Sequence, residues 1–411
     1  MKKYLFILFA CIFVIMIGFG ITLPVLPFYI KQLALQGGET IASASIHVGI
    51  LTGIYALVQF FFAPVWGKLS DRLGRKPLLV IGLSGYSVAI VSFGLGTSLV
   101  MLYTARMIGG VFAAAILPVA NAYVADITSE EERGPGMAWL GGAAGLGLVF
   151  GPAIGSFLSQ VNWHLNSILG HLLIEQFSLP FIIAGFLSLP TLVLVIIWLP
   201  ESLELPCLAS AVPGNNVFET KKTKFPLSCL LNFLLIAFTS QFALATFEGT
   251  FALHARGLLN FGPSRMGIVF VICGFTMAVV QGIFAGSLIA KLGEKRLFPV
   301  GFMLMILGLT LLMFVSDFIL ILFCVTIFAG GVAFIIPSLS SLVSKQFSQK
   351  SGTALGWLNA ANSLGQAAGP GLGGFLLTLQ IHLPYLLAIL LLSFSAFSGI
   401  IPMIFTAKQK L

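Results

Sequence analysis

Residues 67–77 read GKLSDRLGRKP, and five of those eleven residues are charged in a 411-residue chain that is only 8% charged overall. The stretch punctuates two apolar runs, at about 46–66 and 77–97, each long enough to cross a hydrocarbon layer of roughly 30 Å. Its glycines, Gly67 and Gly74, permit a tight turn between them. Outward from this point the same alternation continues, with further apolar runs at about 4–30, 99–125, 136–158, 178–200, 227–253, 266–290, 297–315, 318–343, 353–377 and 382–405. With 58% hydrophobic residues, 38 phenylalanines and a mean hydropathy of +1.06, the chain carries more apolar surface than a soluble domain can hide. The residue alternation of a transmembrane barrel is absent. The opening MKKYLFILFACIFVIMIGFGITLPVLPFYI has an apolar part too long for a signal peptide, so it is read as the first of twelve spans. The fold class is therefore an all-α membrane protein of twelve transmembrane helices.

Charge sets the orientation. With the N-terminus in the cytoplasm, 17 of the 21 Lys and Arg residues fall on the cytoplasmic side and 3, Lys31, Arg256 and Arg265, on the other. By the positive-inside rule both termini are cytoplasmic, in a multi-pass protein of the cell (inner) membrane. The net charge of +8 needs no nucleic-acid partner to explain it. Arg106 is the one cation left inside a span, and Glu248, in FEGTF at 247–251, the one acid. Burying either near the bilayer centre costs about 2.5 to 17 kcal/mol, which makes both Glu248 and Arg106 functional candidates, here for proton coupling.

The chain repeats itself. GKLSDRLGRKP is echoed by GSLIAKLGEKR at 286–296, GLVFGPAIG at 147–155 by GQAAGPGLG at 365–373, and Pro118 by Pro337, at offsets of 218 or 219 residues. Two parallel six-helix repeats follow, 1–200 and 227–411, joined by a polar cytoplasmic linker at 201–226.

Twelve helices in two parallel repeats, with G-x-x-x-D-R-x-G-R-K between the second and third, resemble the major facilitator superfamily over essentially the whole chain. GLGLVFGPAIG in span 5 resembles the motif of its drug:proton antiporters, and RMIGGVFAAA at 106–115 the span 4 motif of proton-coupled members. The resemblance implies a gate formed by Gly67, Asp71, Arg72, Gly74 and Arg75. In it Asp71 packs against the start of helix 11 near Gly352 and Thr353, and Arg75 pairs with Asp126. In the second repeat Ala290 stands in the place of Asp71 and Lys345 in that of Asp126, leaving one latch.

The glycines Gly147, Gly151 and Gly155, with Pro152, and their echoes Gly365, Gly369 and Gly373, each line one helix face. Simple tight packing accounts for such a face; its recurrence in spans 5 and 11 suggests a rocking contact between the halves. Asn359, Asn362, Ser363 and Gln366 form a polar stripe at i, i+3, i+4 and i+7. Tyr55 and Gln59 lie one turn apart, and Gln241 shares a helix face with Glu248. Singly these are interhelical glue; together they outline a wet substrate cavity. His164, His171 and Glu175 in the outer loop could hold a metal, although a solvated or interfacial face explains them as well, so no metal and no cofactor are expected. The five cysteines show no CxxC pairing and read as packing residues.

Desolvation disfavours the charged form of a lone carboxylate, so Glu248 can be neutral facing one side and release its proton on the other. The alternative is a structural ion pair with Arg106. The sequence thus points to a monomeric, proton-coupled exporter of amphipathic small molecules working by alternating access, with small-molecule substrate, protons and membrane lipids as partners. A dedicated exporter of a metabolite such as a siderophore, sugar or lipid-linked molecule is the alternative. A receptor or intramembrane enzyme has no supporting motif: HExxH, GxSxG and a nucleotide-binding loop are all missing.

Overall fold

A computed structural model of the chain describes residues 2–36, 38, 41–159, 177–203, 227–259 and 263–397. The outer-loop residues His164, His171 and Glu175, and the linker beyond Leu203, lie outside them. The helices in order are α1 (Lys2–Gln36), α2 (Ile41–Leu73), α3 (Arg75–Gly94), α4 (Leu99–Ile127), α5 (Glu130–Leu158), α6 (Leu179–Trp198) and α7 (Leu227–Leu259). Then come α8 (263–292), α9 (Glu294–Leu312), α10 (Phe318–Gln346), α11 (Ser351–Leu379) and α12 (Leu383–Ser395). Among the described residues ten helices are long and apolar enough to cross a membrane; the others are α11, diluted by its polar stripe, and the short described part of α12. Helices suit this setting because each satisfies its own backbone where no water can. Their ends carry the expected chemistry. Ser98 and Ser129 cap α4 and α5, three glutamates fill the first turn of α5, and Asp317 accepts the N–H groups of Ile319 and Leu320 at 2.9 and 3.1 Å.

Helix α8 is interrupted at Val280–Ala285 by a π-helical turn that contains Gln281. Helix α2 runs on through most of the charged stretch to Leu73, so the turn there is the single residue Gly74, at φ 99°. Its repeat partner Gly293 has φ 78° and likewise opens the next helix. Both positions suit glycine because a side chain is strained there. Gly67 lies inside α2 rather than in a turn.

Helix pairing repeats with a shift of six: α1 packs on α5, α2 and α3 on α4, and α1 on α6, just as α7 packs on α11, α8 and α9 on α10, and α7 on α12. Two seams join the six-helix sets, α2 against α11 and α5 against α8. The glycine stripes do not lie in those seams, which corrects the rocking contact expected of them. Gly151 faces the Ile17 carbonyl oxygen and Gly20 of α1, Gly147 faces Phe13 and Met16, and Gly155 faces Ile21. Gly365, Gly369 and Gly373 face α7 in the same way, and Pro152 and Pro370 sit over Gly20 and Gly249. A small-residue face lets backbones touch, and here it welds each bundle internally. The α5–α8 seam uses other small residues of α5, Gly134, Gly141, Gly142 and Gly145.

Gly151→Val should lower the apparent Tm of the purified protein, since a Cβ there would lie 2.6 Å from the Ile17 oxygen and 2.7 Å from Gly20 Cα. Overpacking of this kind costs about 1–3 kcal/mol. Gly371→Val, where an added Cβ meets nothing, is the control and should leave Tm unchanged.

Candidate functional site: a gated central cavity

At the basic end of the bundle Asp71 reaches across the α2–α11 seam. Its carboxylate accepts the backbone N–H groups of Gly352 and Thr353 at 2.9 and 2.7 Å and the Thr353 hydroxyl at 2.6 Å, placing a negative charge on the positive end of α11. Arg75, 2% exposed, donates to Asp71 and to Ser70 Oγ at 2.7 Å each, to Asp126 at 2.9 Å and to Ser351 Oγ at 3.1 Å, the last again across the seam. A buried guanidinium is costly unless its charge is met and its donors are used; here all three nitrogens donate, and two of the partners are carboxylates. The seam closes to backbone contact, since a side chain on Gly67 would strike the Gly352 carbonyl, and one on Gly352 would strike Asp71. Arg72 does not take part. It sits one residue, or about 100°, round the helix from Asp71, is exposed, and makes no hydrogen bond or ion pair among the described residues. Glu201, just past α6, accepts from the backbone N–H groups of Arg75 and Lys76 at 2.7 and 3.1 Å and so caps α3. Read as a linker acid, it gave no signal in the sequence.

In the second repeat the ion pair survives with its signs exchanged. Glu294 and Lys345, 219 residues after Arg75 and Asp126, form a salt bridge that Ser341 supports with a 2.7 Å hydrogen bond. With Ala290 in place of Asp71, the α5–α8 seam is closed by apolar contacts, Gly134 on Ile289 and Gly286 on Pro135. Arg133 adds a 3.4 Å bond across the halves to the Ser344 carbonyl in the last turn of α10, where carbonyls lack helical donors.

Beyond this cluster lies a cavity of about 200 Å³, lined by both halves. Tyr55, Gln59, Gln241, Glu248, Asn359, Asn362, Ser363 and Gln366 all line it. Sequence reasoning missed Gln281, Asn121 and Ser340; Gln281 and Asn121 were visible as amides within apolar runs, but without a periodic partner. Glu248 makes no hydrogen bond or ion pair among the described residues. The alternative of a Glu248–Arg106 pair is not what the structure holds. Arg106 does not line the cavity; it lies 4.5 Å from the ring centroid of Tyr55 and 5.4 Å from that of Phe93. Aromatic faces, rather than a carboxylate, accept this cation, and its Nε is buried with no hydrogen-bond partner among the described residues. Among the described residues no cluster of His, Cys, Asp or Glu could hold a metal.

Comparison with known proteins now has a geometry to attach to. The sequence profile described as Major Facilitator Superfamily matches residues 8–281 and again 233–410. The chain belongs to the Major Facilitator Superfamily. Among facilitators it is 30% identical over 394 residues to Multidrug resistance protein 2 of Bacillus subtilis (strain 168), covering 94% of this chain and 92% of that one. It is 26% identical over 390 residues to the quinolone resistance protein NorA of Staphylococcus aureus (strain COL), covering 95% and 94%. The human organic anion transporter MFSD10 shares the facilitator fold at a TM-score of 0.76 and 22% identity, over 95% of this chain and 99% of its own. The proton:xylose symporter XylE shares it at 0.78 and 16%, over 96% and 95%.

Removing the charge at Asp71 should loosen this facilitator's α2–α11 seam, because bonds to a charged acceptor contribute about 1.5–3 kcal/mol each. Spin labels at the exposed positions Arg72→Cys and Lys291→Cys, in a cysteine-free background, should report longer and broader distances in Asp71→Asn than in the parent. Superimposable distributions would show that the latch does not hold this end closed.

Proposed function

We propose that this facilitator exports amphipathic small molecules from the cell by alternating access, in exchange for protons, with Glu248 as the proton carrier. The observation that carries the reading is Glu248 itself: a carboxylate on the wall of the central cavity with no partner among the described residues. Such a group is free to trade a proton for a ligand, because desolvation favours its neutral form and an incoming cation or water its charged form. The multidrug and quinolone resistance relatives support the substrate class. The rest of the cycle is read from the seams. Bundles 1–200 and 227–411 move as units about the cavity, and the gate of Asp71, Arg75 and Asp126 holds the cytoplasmic end shut in the conformation described, as an outward-open state requires. The count of basic residues supports a cytoplasmic position for that end and for both termini. The protein works as a monomer, with no cofactor.

Glu248→Gln in proteoliposomes tests the reading. Folded yield and substrate binding should persist, export driven by a pH gradient should fall to background, and downhill exchange of substrate should survive. Wild-type rates of proton-driven export by well-folded Glu248→Gln protein would remove Glu248 from the coupling. Loss of fold, binding and every transport mode together would instead mark it as structural.

A further inference from the structure

Polarity in the cavity is divided between the halves. Gln241 and Glu248 of α7, Gln281 of α8, and Asn359, Asn362 and Gln366 of α11 face it from one side, and none of these side chains has a hydrogen-bond partner among the described residues. Apolar residues line both sides, Leu244, Met277 and Leu358 among them on this one, but the facing side is apolar almost throughout, with Ile15 of α1, Ile116 and Leu117 of α4, and Leu140 of α5. The polar groups of this second wall are largely spent. Gln59 accepts a 3.4 Å hydrogen bond from Ser363, and the Tyr55 ring carries Arg106 behind it, which leaves Asn121.

We propose that the cavity holds its ligand in one orientation, with a cationic, hydrogen-bonding edge on the α7–α8–α11 wall and the apolar body on the α1–α4–α5 wall. The inference rests on the transport reading for its ligand class and adds which half recognises what. Five unspent amides and one carboxylate offer directional bonds, and a ligand lacking matching groups leaves them unpaired. The opposite wall of Ile, Leu and Met attracts any apolar shape without regard to direction, and methionine adapts to it. No cation lines the cavity among the described residues, so the carboxylate makes a positive edge the favoured one. Gln281 sits where the π-turn meets α5, its amide oxygen filling the space that a side chain on Gly141 would need. That contact fixes where the polar wall ends and the apolar wall begins.

The test uses two cations on detergent-purified protein: ethidium, which carries exocyclic amines, and tetraphenylphosphonium, which has no hydrogen-bonding group. Photolysis of ethidium monoazide, whose azide replaces one of those amines, should label peptides within 227–292 and 351–379 of the wild-type protein. Label concentrated within 2–36 and 99–158 would overturn the orientation. In equilibrium dialysis, Asn359→Leu, Asn362→Leu or Gln366→Leu should weaken ethidium about tenfold, the size of one hydrogen bond, and tetraphenylphosphonium less than about threefold. Ile116→Ala and Leu140→Ala should weaken both probes by a similar factor. Equal losses for both probes in the amide variants, no loss in any of them, or a wild-type protein that binds neither probe would each overturn the proposal. Variants are compared only where circular dichroism and gel filtration match wild type, and the labelling arm needs no variant. Binding and labelling are read without a gradient, so failure of pH-driven flux would sink the transport reading while leaving the orientation intact.

Discussion

The Asp71 carboxylate, taken out of water between α2 and α11, accepts two main-chain N–H groups and a hydroxyl from the far half, while its near side is bound by Arg75, which Asp126 holds in turn. A charge in that place is tolerable only because every lone pair has a donor and the end of a helix faces it. Its geometry governs its surroundings. Gly67 and Gly352 must be bare for the helices to approach, Gly74 must adopt a left-handed turn so that Arg75 follows at once, and Glu201 must hold the start of α3. The α2–α11 seam is closed at this end as a consequence.

Repetition of the chain is faithful in backbone and free in chemistry. Gly74 and Gly293 share their unusual turn, and Arg75–Asp126 and Glu294–Lys345 occupy matching places with opposite signs. An ion pair inside one bundle can stand with either partner positive, although Arg75 at the start of α3 and Asp126 at the end of α4 oppose the helix dipoles that Glu294 at the start of α9 and Lys345 at the end of α10 follow. A carboxylate facing a helix N-terminus has no such freedom, because the helix dipole fixes the sign. This is why the loss of the acid at Ala290 changes the second seam to apolar packing, with Arg133 turned instead toward the negative end of α10.

The architecture was legible because a bilayer imposes coarse rules: apolar runs of set length, basic loops on one side, and a repeat visible at a constant offset. The cavity residues were legible because an amide or acid within an apolar run is costly enough to need a reason, and periodicity put Asn359, Asn362, Ser363 and Gln366 on one face. What sequence left hidden were partners. A glycine stripe announces close approach but not which helix approaches, so the stripes of α5 and α11 were assigned to the wrong neighbour. A pair of Arg106 with Glu248 stood as the alternative because opposite charge is the obvious remedy, whereas the cation lies against two aromatic rings. Glu201 resembled any solvated linker acid, and a π-turn at Gln281 has no signature in composition.

Glu201 also bears on how the chain can be divided. It follows α6 directly, and Ser202 and Leu203 fold back on it, with Ser202 Oγ donating to Asp126 at 3.0 Å. The tether between the bundles is therefore moored at the Arg75–Asp126 pair before it sets out. A split version of this protein, with the two six-helix pieces made separately and reassembled, should be cut after Leu203; a cut after Pro200 would strip the cap from α3 and leave the first piece with a frayed hinge. The same mooring makes the tether a lever: tension on it would be felt first at the turn that carries Arg75.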